Sequence, residues 1–383
     1  MEIKKLCDEV YEEIVQIRRK IHSYPEVGIY CPKTIDLICS YLDQLNIDYR
    51  RLEDRGVIAD IKGKPADKIV MLRADMDALD ILEETGLDFS SEIEGKMHAC
   101  GHDLHIAMLL GSAKILSEHK DEFKGTVRLL FQTGEEISSG AKYLIDNGAL
   151  EGVSMGLGIH MDPLSKTGKV SSRIGPDWAG VDEFTIVVNG DSGHGAMPHK
   201  TNDATVAAAS IIMNLQTMVS RKCNPLLPLV VSIGEVHSGS AYNIISGKAV
   251  LRGTCRSFDK EVYDMIPEVL EQICKNIATA LGCQAEIDFK RTGKPLINDE
   301  KAFNILKQSA EKVLNDPNDF FVCDMAMIGE DFSEYANRIP CVFAHLGADG
   351  GYPLHNCHIN FAEEAMKTGM ALEVQFALDV LND

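Results

Sequence analysis

The stretch KIVMLRADMDAL, residues 68–79, decides the architecture. Ile69-Val70-Met71-Leu72 is an unbroken apolar run of strand length, the mark of a strand buried on both faces. The run then turns polar, delivering Arg73, Asp75 and Asp77 at its end. In α/β folds, ligands bind where strands end.

Outward from this strand, the chain alternates helix and strand. Residues 1–22 place Leu6, Val10, Ile14, Ile17 and Ile21 at helical spacing, and 33–46 predicts a second helix. HIAMLLGSAKILSEH (105–119) predicts a third helix. TVRLLFQTGEE (126–136) predicts a strand that ends in two carboxylates. SGAKYLIDNGAL (139–150) predicts a helix closing near Gly148, and MGLGIHMDP (155–163) a short strand stopped by Pro163. This alternation predicts an α/β domain with a mixed sheet and helices on its faces.

From about residue 177 the texture changes. VDEFTIVVNGDSG (181–193) alternates like a strand with one exposed face. Residues 203–222 predict a long helix, 228–239 and 247–258 strands, 261–282 a helix and 283–292 a last strand. That makes a compact α+β unit. The expected division is a catalytic domain in two parts, 1–176 and 291–383, with an inserted domain over 177–290.

Composition narrows the class. The 383 residues carry a net charge of −20, which argues against nucleic acid as a partner. No run of 18 apolar residues is present and the N-terminus lacks the apolar centre of a secretory signal, so neither a membrane span nor export is expected. The 11 cysteines are odd in number and follow no disulfide framework, which suits a reducing cytoplasm.

Five places gather chemistry: Asp75 with Asp77, the block Met97–His105, the pair Glu135-Glu136, His160 and His355. Cys, His and carboxylate form the ligand set of zinc, manganese and related divalent ions. Such an ion acidifies water, and a neighbouring carboxylate can serve as general base. A Cys/His nucleophile pair within HACGHD is the metal-free alternative, though it would leave Glu135, Glu136 and His160 without a role.

LRADMDAL (72–79), MHACGHDLHIAMLLG (97–111), FQTGEE (131–136), GAKYLIDNGAL (140–150), SGHGAMPH (192–199) and GEDF (329–332) resemble the amidohydrolase branch of the aminoacylase/carboxypeptidase metallopeptidase family. RRKIHSYPEVG (18–28) resembles it too, so the likeness runs along nearly the whole chain. That branch includes hippurate hydrolases, N-acyl-amino-acid amidohydrolases, auxin-conjugate hydrolases and N-acetyldiaminopimelate deacetylases. The resemblance implies two divalent ions per subunit (Mn, Zn, Co or Ni), held by Cys100, His102, Glu136, His160 and His355. It implies Glu135 as general base, Asp77 as the orienting carboxylate and Asp75 in support. It makes the insertion a lid and dimerisation domain, with His194, Asn243 and Arg256 reaching substrate or oxyanion, and the protein a homodimer.

The expected reaction is cleavage of a small N-acyl amino acid or a similar conjugate; deacetylation of N-acetyldiaminopimelate, small-peptide hydrolysis and a silent binding homologue are the alternatives. The sequence departs from the family at Asp80, Thr133-Gly134, Met161-Asp162 and Ser192, which bears on substrate preference and leaves the proposed ligands intact. LHNCH (354–358) offers two histidines; His355, which follows leucine as in the family, is preferred over His358. His98 and His105 are expected to pack behind the site, and Trp178 in a core.

Overall fold

The computed structural model describes all 383 residues, which divide into two compact units. The first comprises Met1–Asp177, Ile297–Asp324 and Glu330–Asp383; the second comprises Trp178–Leu296 and Met325–Gly329. The insertion therefore runs to Leu296 and takes in a second, short segment of chain. The strand Gln284–Gly293 stays paired with Gly180–Asn189 up to Gly293, and Trp178 bridges to Ala326.

The first unit is built on a mixed eight-stranded sheet. Its strand order is Asp48–Arg51, Gly56–Lys62, Lys124–Gln132, Lys64–Asp75, Val153–Asp162, Cys341–Gly347, Val170–Ser172 and Phe320–Val322. The four strands from Lys124–Gln132 to Cys341–Gly347 run parallel. Val70, Met71 and Leu72 are fully buried, as their unbroken apolar run requires. The helices Ile3–Ser23, His102–Glu118 and Ala365–Asn382 join the same core. Gly111 and Gly369 let the last two approach closely: a Cβ at Gly111 would meet Met370 Sδ, and one at Gly369 would meet Met108 Sδ.

Two boundaries differ from the periodicity in ways that matter for the site. The third helix starts at His102 rather than 105, because Gly101 at φ 89° turns the chain into it. A side chain at Gly101 would also press on Met161, whose Cγ would lie 2.9 Å from the added Cβ. The strand expected over 126–136 stops at Gln132, which leaves Glu135 and Glu136 on the turn that follows.

The second unit is a four-stranded antiparallel sheet in the order Leu229–Ser238, Lys248–Ser257, Gly180–Asn189 and Gln284–Gly293. The helices Ala204–Thr217 and Lys260–Ala280 supply the rest of its core around Phe184, Ile186, Ile211, Leu215, Ile266 and Leu270. Asp203 and Asp259 cap these helices, each accepting from two backbone N–H groups of the first turn. Pro267 sits inside the second helix and cannot donate to the Tyr263 carbonyl. Arg291 makes up the deficit: its Nη2 donates to that carbonyl at 2.7 Å, and its guanidinium stacks 3.7 Å from the Tyr263 ring centre.

Candidate metal centre and active site

The site of the first unit forms where parallel strands end. Strand Lys64–Asp75 runs on to Asp77, the turn after Lys124–Gln132 brings Glu135 and Glu136, and strand Val153–Asp162 brings His160. Cys100 and His102 flank the Gly101 turn. His355 comes from a C-terminal loop whose backbone N–H donates to the Ala99 carbonyl at 3.0 Å. It adopts φ 63°, a conformation uncommon for a residue with a side chain.

Two ligand groups emerge from these pieces. Donor atoms of Cys100, His102 and His160 lie within 4.8 Å of one another, and so do those of Cys100, Glu136 and His355. Cys100 belongs to both. His160 Nε2 is 3.4 Å from Cys100 Sγ, and His355 Nε2 is 3.3 Å from Glu136 Oε1. The structure thus brings together the five sequence-predicted ligands and sets His358 elsewhere, against Glu84.

The residues present fit divalent ions. His102 Nδ1 lies 2.8 Å from the Asp77 carbonyl, which can only accept, so Nδ1 carries the proton and Nε2 a lone pair. That Nε2 is buried and has no hydrogen-bond partner, a costly arrangement unless a cation takes the lone pair. His160 is oriented in the same way, with Nδ1 2.8 Å from the Met161 carbonyl and Nε2 turned to Cys100.

The carboxylates take distinct parts. Asp77 Oδ1 accepts the Glu135 N–H at 2.9 Å and Oδ2 the Glu136 N–H at 3.1 Å, so one buried carboxylate holds the turn that carries both glutamates. Burial raises the Asp77 carboxyl well above its usual range, outweighing these two donors. Asp75 Oδ1 meets His105 Nδ1 at 2.5 Å, and Oδ2 meets Arg73 Nη1 at 2.6 Å. Burial opposes its charge, but Arg73, His102 and His105 together hold it well below the usual range. Asp75 therefore supports the centre from behind. Glu135 is raised well above the ordinary value by burial and by Glu330, Glu136 and Asp331. A carboxyl poised to take up a proton is what a general base and acid needs.

Cys100 is also raised well above its ordinary value, by burial and then by Glu136, Glu135 and Asp75. An activated cysteine nucleophile has its thiol shifted down, and this one is shifted up.

Sequence reading missed the frame behind the site. Arg73 is fully buried and its Nη2 reaches Glu330 at 3.0 Å and Asp331 at 2.8 Å, while its Nε donates to Gln132 at 3.1 Å. Asp331 also accepts from Gln132 Nε2 and from the Ala141 N–H. A second frame joins Arg18 to Asp103 at 2.7 Å and Asp103 to His22 at 2.8 Å, tying the first helix to the start of the helix that opens with His102. The sequence signal for them was the presence of Arg73, Asp103 and GEDF inside or beside the motifs, and of Arg18 and His22 in RRKIHSYPEVG.

The second unit holds the remaining predicted residues. His194 is exposed on a short ribbon, paired with Ile244, and the Gly195 N–H donates to the Asn243 carbonyl at 2.8 Å, so His194 and Asn243 are neighbours. Arg256 lies apart from them, on strand Lys248–Ser257, and Nη1 donates to the Met327 carbonyl at 2.7 Å. Trp178 is buried, as expected.

A model of peptidase family M20/M25/M40 matches residues 71–379. This chain belongs to that family. It is 37% identical over 358 residues to an N-acetyl-L-cysteine deacetylase of Bacillus subtilis, covering 93% of this chain and 85% of that protein. It is 40% identical over 299 residues to an N-acyl-L-amino acid amidohydrolase of Geobacillus stearothermophilus, covering 78% and 81%. A crystal structure of a Bacillus subtilis protein described as a dinuclear metal binding peptidase from the M20 family superposes with a TM-score of 0.88 at 33% identity, covering 98% of this chain and 99% of that one. The M20-family protein is therefore a hydrolase of amide bonds, with the mixed α/β fold of a dinuclear metallopeptidase.

Proposed function

We propose that this chain cleaves the amide bond of N-acyl amino acids or related small conjugates at the centre built around Cys100. The observation that carries the reading is the sharing of Cys100 between two ligand groups, with Glu135 on the turn that also carries one of the ligands. His102 and His160 would hold one divalent ion, Glu136 and His355 the other, and the Cys100 sulfur both. When bound, the ions supply an acidified water and a polarised carbonyl. A thiolate in the set favours zinc or a similarly thiophilic ion; manganese, cobalt and nickel remain the other candidates.

The chain's own part is proton traffic and placement. Glu135 takes a proton on its carboxylate as water adds to the carbonyl carbon, and gives it to the amide nitrogen as the C–N bond breaks. The products are a carboxylic acid and a free amino acid. Asp77 fixes Glu135 through the backbone, and Asp75 holds His105, whose Nε2 accepts the Met161 N–H at 3.0 Å and so steadies the strand next to His160. Substrate roles for His194, Asn243 and Arg256 rest on the resemblance alone.

A homodimer formed through the second unit is part of the proposal. Its sheet leaves Leu229–Ser238 as an edge strand, and the helix Ala204–Thr217 exposes Val206 and Met213, the latter at 71%. No helix is long and apolar enough to cross a membrane, and a cytoplasmic location is proposed from the eleven free cysteines.

The deciding experiment is hydrolysis of hippurate, N-acetyl amino acids, N-acetyldiaminopimelate and an indole-acetyl amino acid by chelated protein, with and without Mn²⁺, Zn²⁺ or Co²⁺. Cleavage restored by metal and absent in Glu135→Gln supports the reading. Cleavage by the chelated protein that persists in Glu135→Gln overturns it.

A further inference from the structure

Away from the catalytic centre, Glu84, Cys357 and His358 converge at the surface of the first unit. His358 Nε2 lies 3.4 Å from Glu84 Oε2, and Cys357 Sγ lies 3.6 Å from the same oxygen. All three donor atoms fall within 4.8 Å of one another. The convergence is built by the backbone: the Glu84 N–H donates to the Cys357 carbonyl at 2.9 Å, which joins the two loops. His358 is turned as a metal-binding histidine is, with Nδ1 donating to the Glu84 carbonyl at 3.1 Å and Nε2 left facing the cluster. The Asn356 side chain holds the His358 N–H at 2.9 Å, and the Tyr352 ring packs on the imidazole at 5.4 Å between centres. One sulfur, one imidazole nitrogen and one carboxylate, with an open side to solvent, form the ligand set of a thiophilic divalent ion that keeps a water in its fourth position.

We propose that Glu84, Cys357 and His358 form a further divalent-metal site, of zinc type, separate from the centre around Cys100. Binding displaces the thiol proton of Cys357, and the ion takes up the thiolate, the His358 Nε2 lone pair and a Glu84 oxygen. Cys357 and His358 lie two and three residues beyond His355 on the same loop, and an ion there pins that loop to the segment carrying Glu84.

Alkylation of Cys357, followed by peptide mass spectrometry, reads this site without reference to activity. Cys357 and Cys323 are the two cysteines that are not buried, so Cys357 is open to the reagent in the native protein; Cys323 stands in a donor group of its own with Asp177 and His345, so the two variants below, and not Cys323, report any effect of zinc outside this site. Zn²⁺ is expected to slow alkylation of Cys357 at least tenfold in the enzyme as isolated, and to lose that effect in Glu84→Gln and in His358→Ala. Both variants are expected to keep amide hydrolysis when the Cys100 centre is loaded, so failure of the catalytic reading shows separately, as inactivity in every protein. A Cys357 rate that zinc leaves unchanged overturns the proposal, as does equal protection in wild type and both variants.

Discussion

Replacing Asp77 by Asn tests the idea that one buried carboxylate sets the geometry of catalysis without touching substrate. Asp77 is 1% exposed and accepts the Glu135 and Glu136 N–H groups on its two oxygens, at 2.9 and 3.1 Å. An amide has one oxygen and one NH₂ group, so one of the two N–H groups loses its acceptor and faces a donor. A hydrogen bond contributes about 0.5–1.5 kcal/mol net, and an orphaned buried donor costs about 1–3 kcal/mol. If about 2.7 kcal/mol of this falls on the placement of Glu135, the rate drops about 100-fold, since about 1.4 kcal/mol is a factor of ten. Asp77 holds His102 through its backbone carbonyl, and that contact survives the substitution. The expected result is therefore a split: kcat down about 100-fold at saturating metal, KM within a few-fold. Asp77→Ala, which orphans both N–H groups, should fall further. Steady-state kinetics on the best N-acyl amino acid, with metal content measured in parallel, decides the matter. If Asp77→Asn keeps wild-type kcat, or loses rate only by losing metal, the backbone clamp is not what positions Glu135.

Other expectations follow from the same contacts. Glu135→Gln keeps the shape of the turn but cannot carry a proton; kcat should fall about 10²–10⁴-fold with metal content unchanged, and wild-type turnover would remove Glu135 from the mechanism. Arg73→Met leaves Asp75, Glu330 and Asp331 buried without their cation and should cost about 3–5 kcal/mol of stability, read as a lower urea midpoint; an unchanged midpoint would show that the acids rearrange freely. Glu373 is buried with only Ser112 donating to it at 2.5 Å, and burial raises it from 4.5 to about 8. Because the folded value lies above the unfolded one, the full contribution to stability is present below pH 4.5 and is lost as pH rises through 8, about 5 kcal/mol in all and ~3 by pH 7. Glu373→Gln should therefore raise the thermal midpoint at pH 8 and change it little near pH 4; equal midpoints at pH 8 would refute the assignment.

Much of this molecule is legible in its sequence because local rules settle it. The apolar run at 69–72 could belong only to a strand covered on both faces, and the alternation at 181–189 only to a sheet with one face covered. What stayed hidden depends on pairing across the chain. Nothing in the order of residues says that Arg73 will meet Glu330 and Asp331, 257 and 258 positions away, or that Arg18 will fix Asp103. The recruitment of Met325–Gly329 into the second unit is of the same kind, since it follows from a bridge between Trp178 and Ala326 and not from any periodicity.

The histidines of one short block show where the boundary falls. His98, His102 and His105 look alike in MHACGHDLH, and a motif can only rank them. Hydrogen-bond accounting separates them. His105 uses both nitrogens within the protein, on Asp75 and on the Met161 N–H, and has none left for an ion. His98 is fully buried with neither nitrogen hydrogen-bonded, and burial lowers it to about 3, so it sits in the core as a neutral ring. His102 spends one nitrogen on a carbonyl that fixes its orientation and keeps the other buried and unused beside Cys100. Of the three, His102 alone combines a fixed ring, a lone pair and a place in a group of donors, and that combination, not residue type or spacing, makes a histidine a metal ligand.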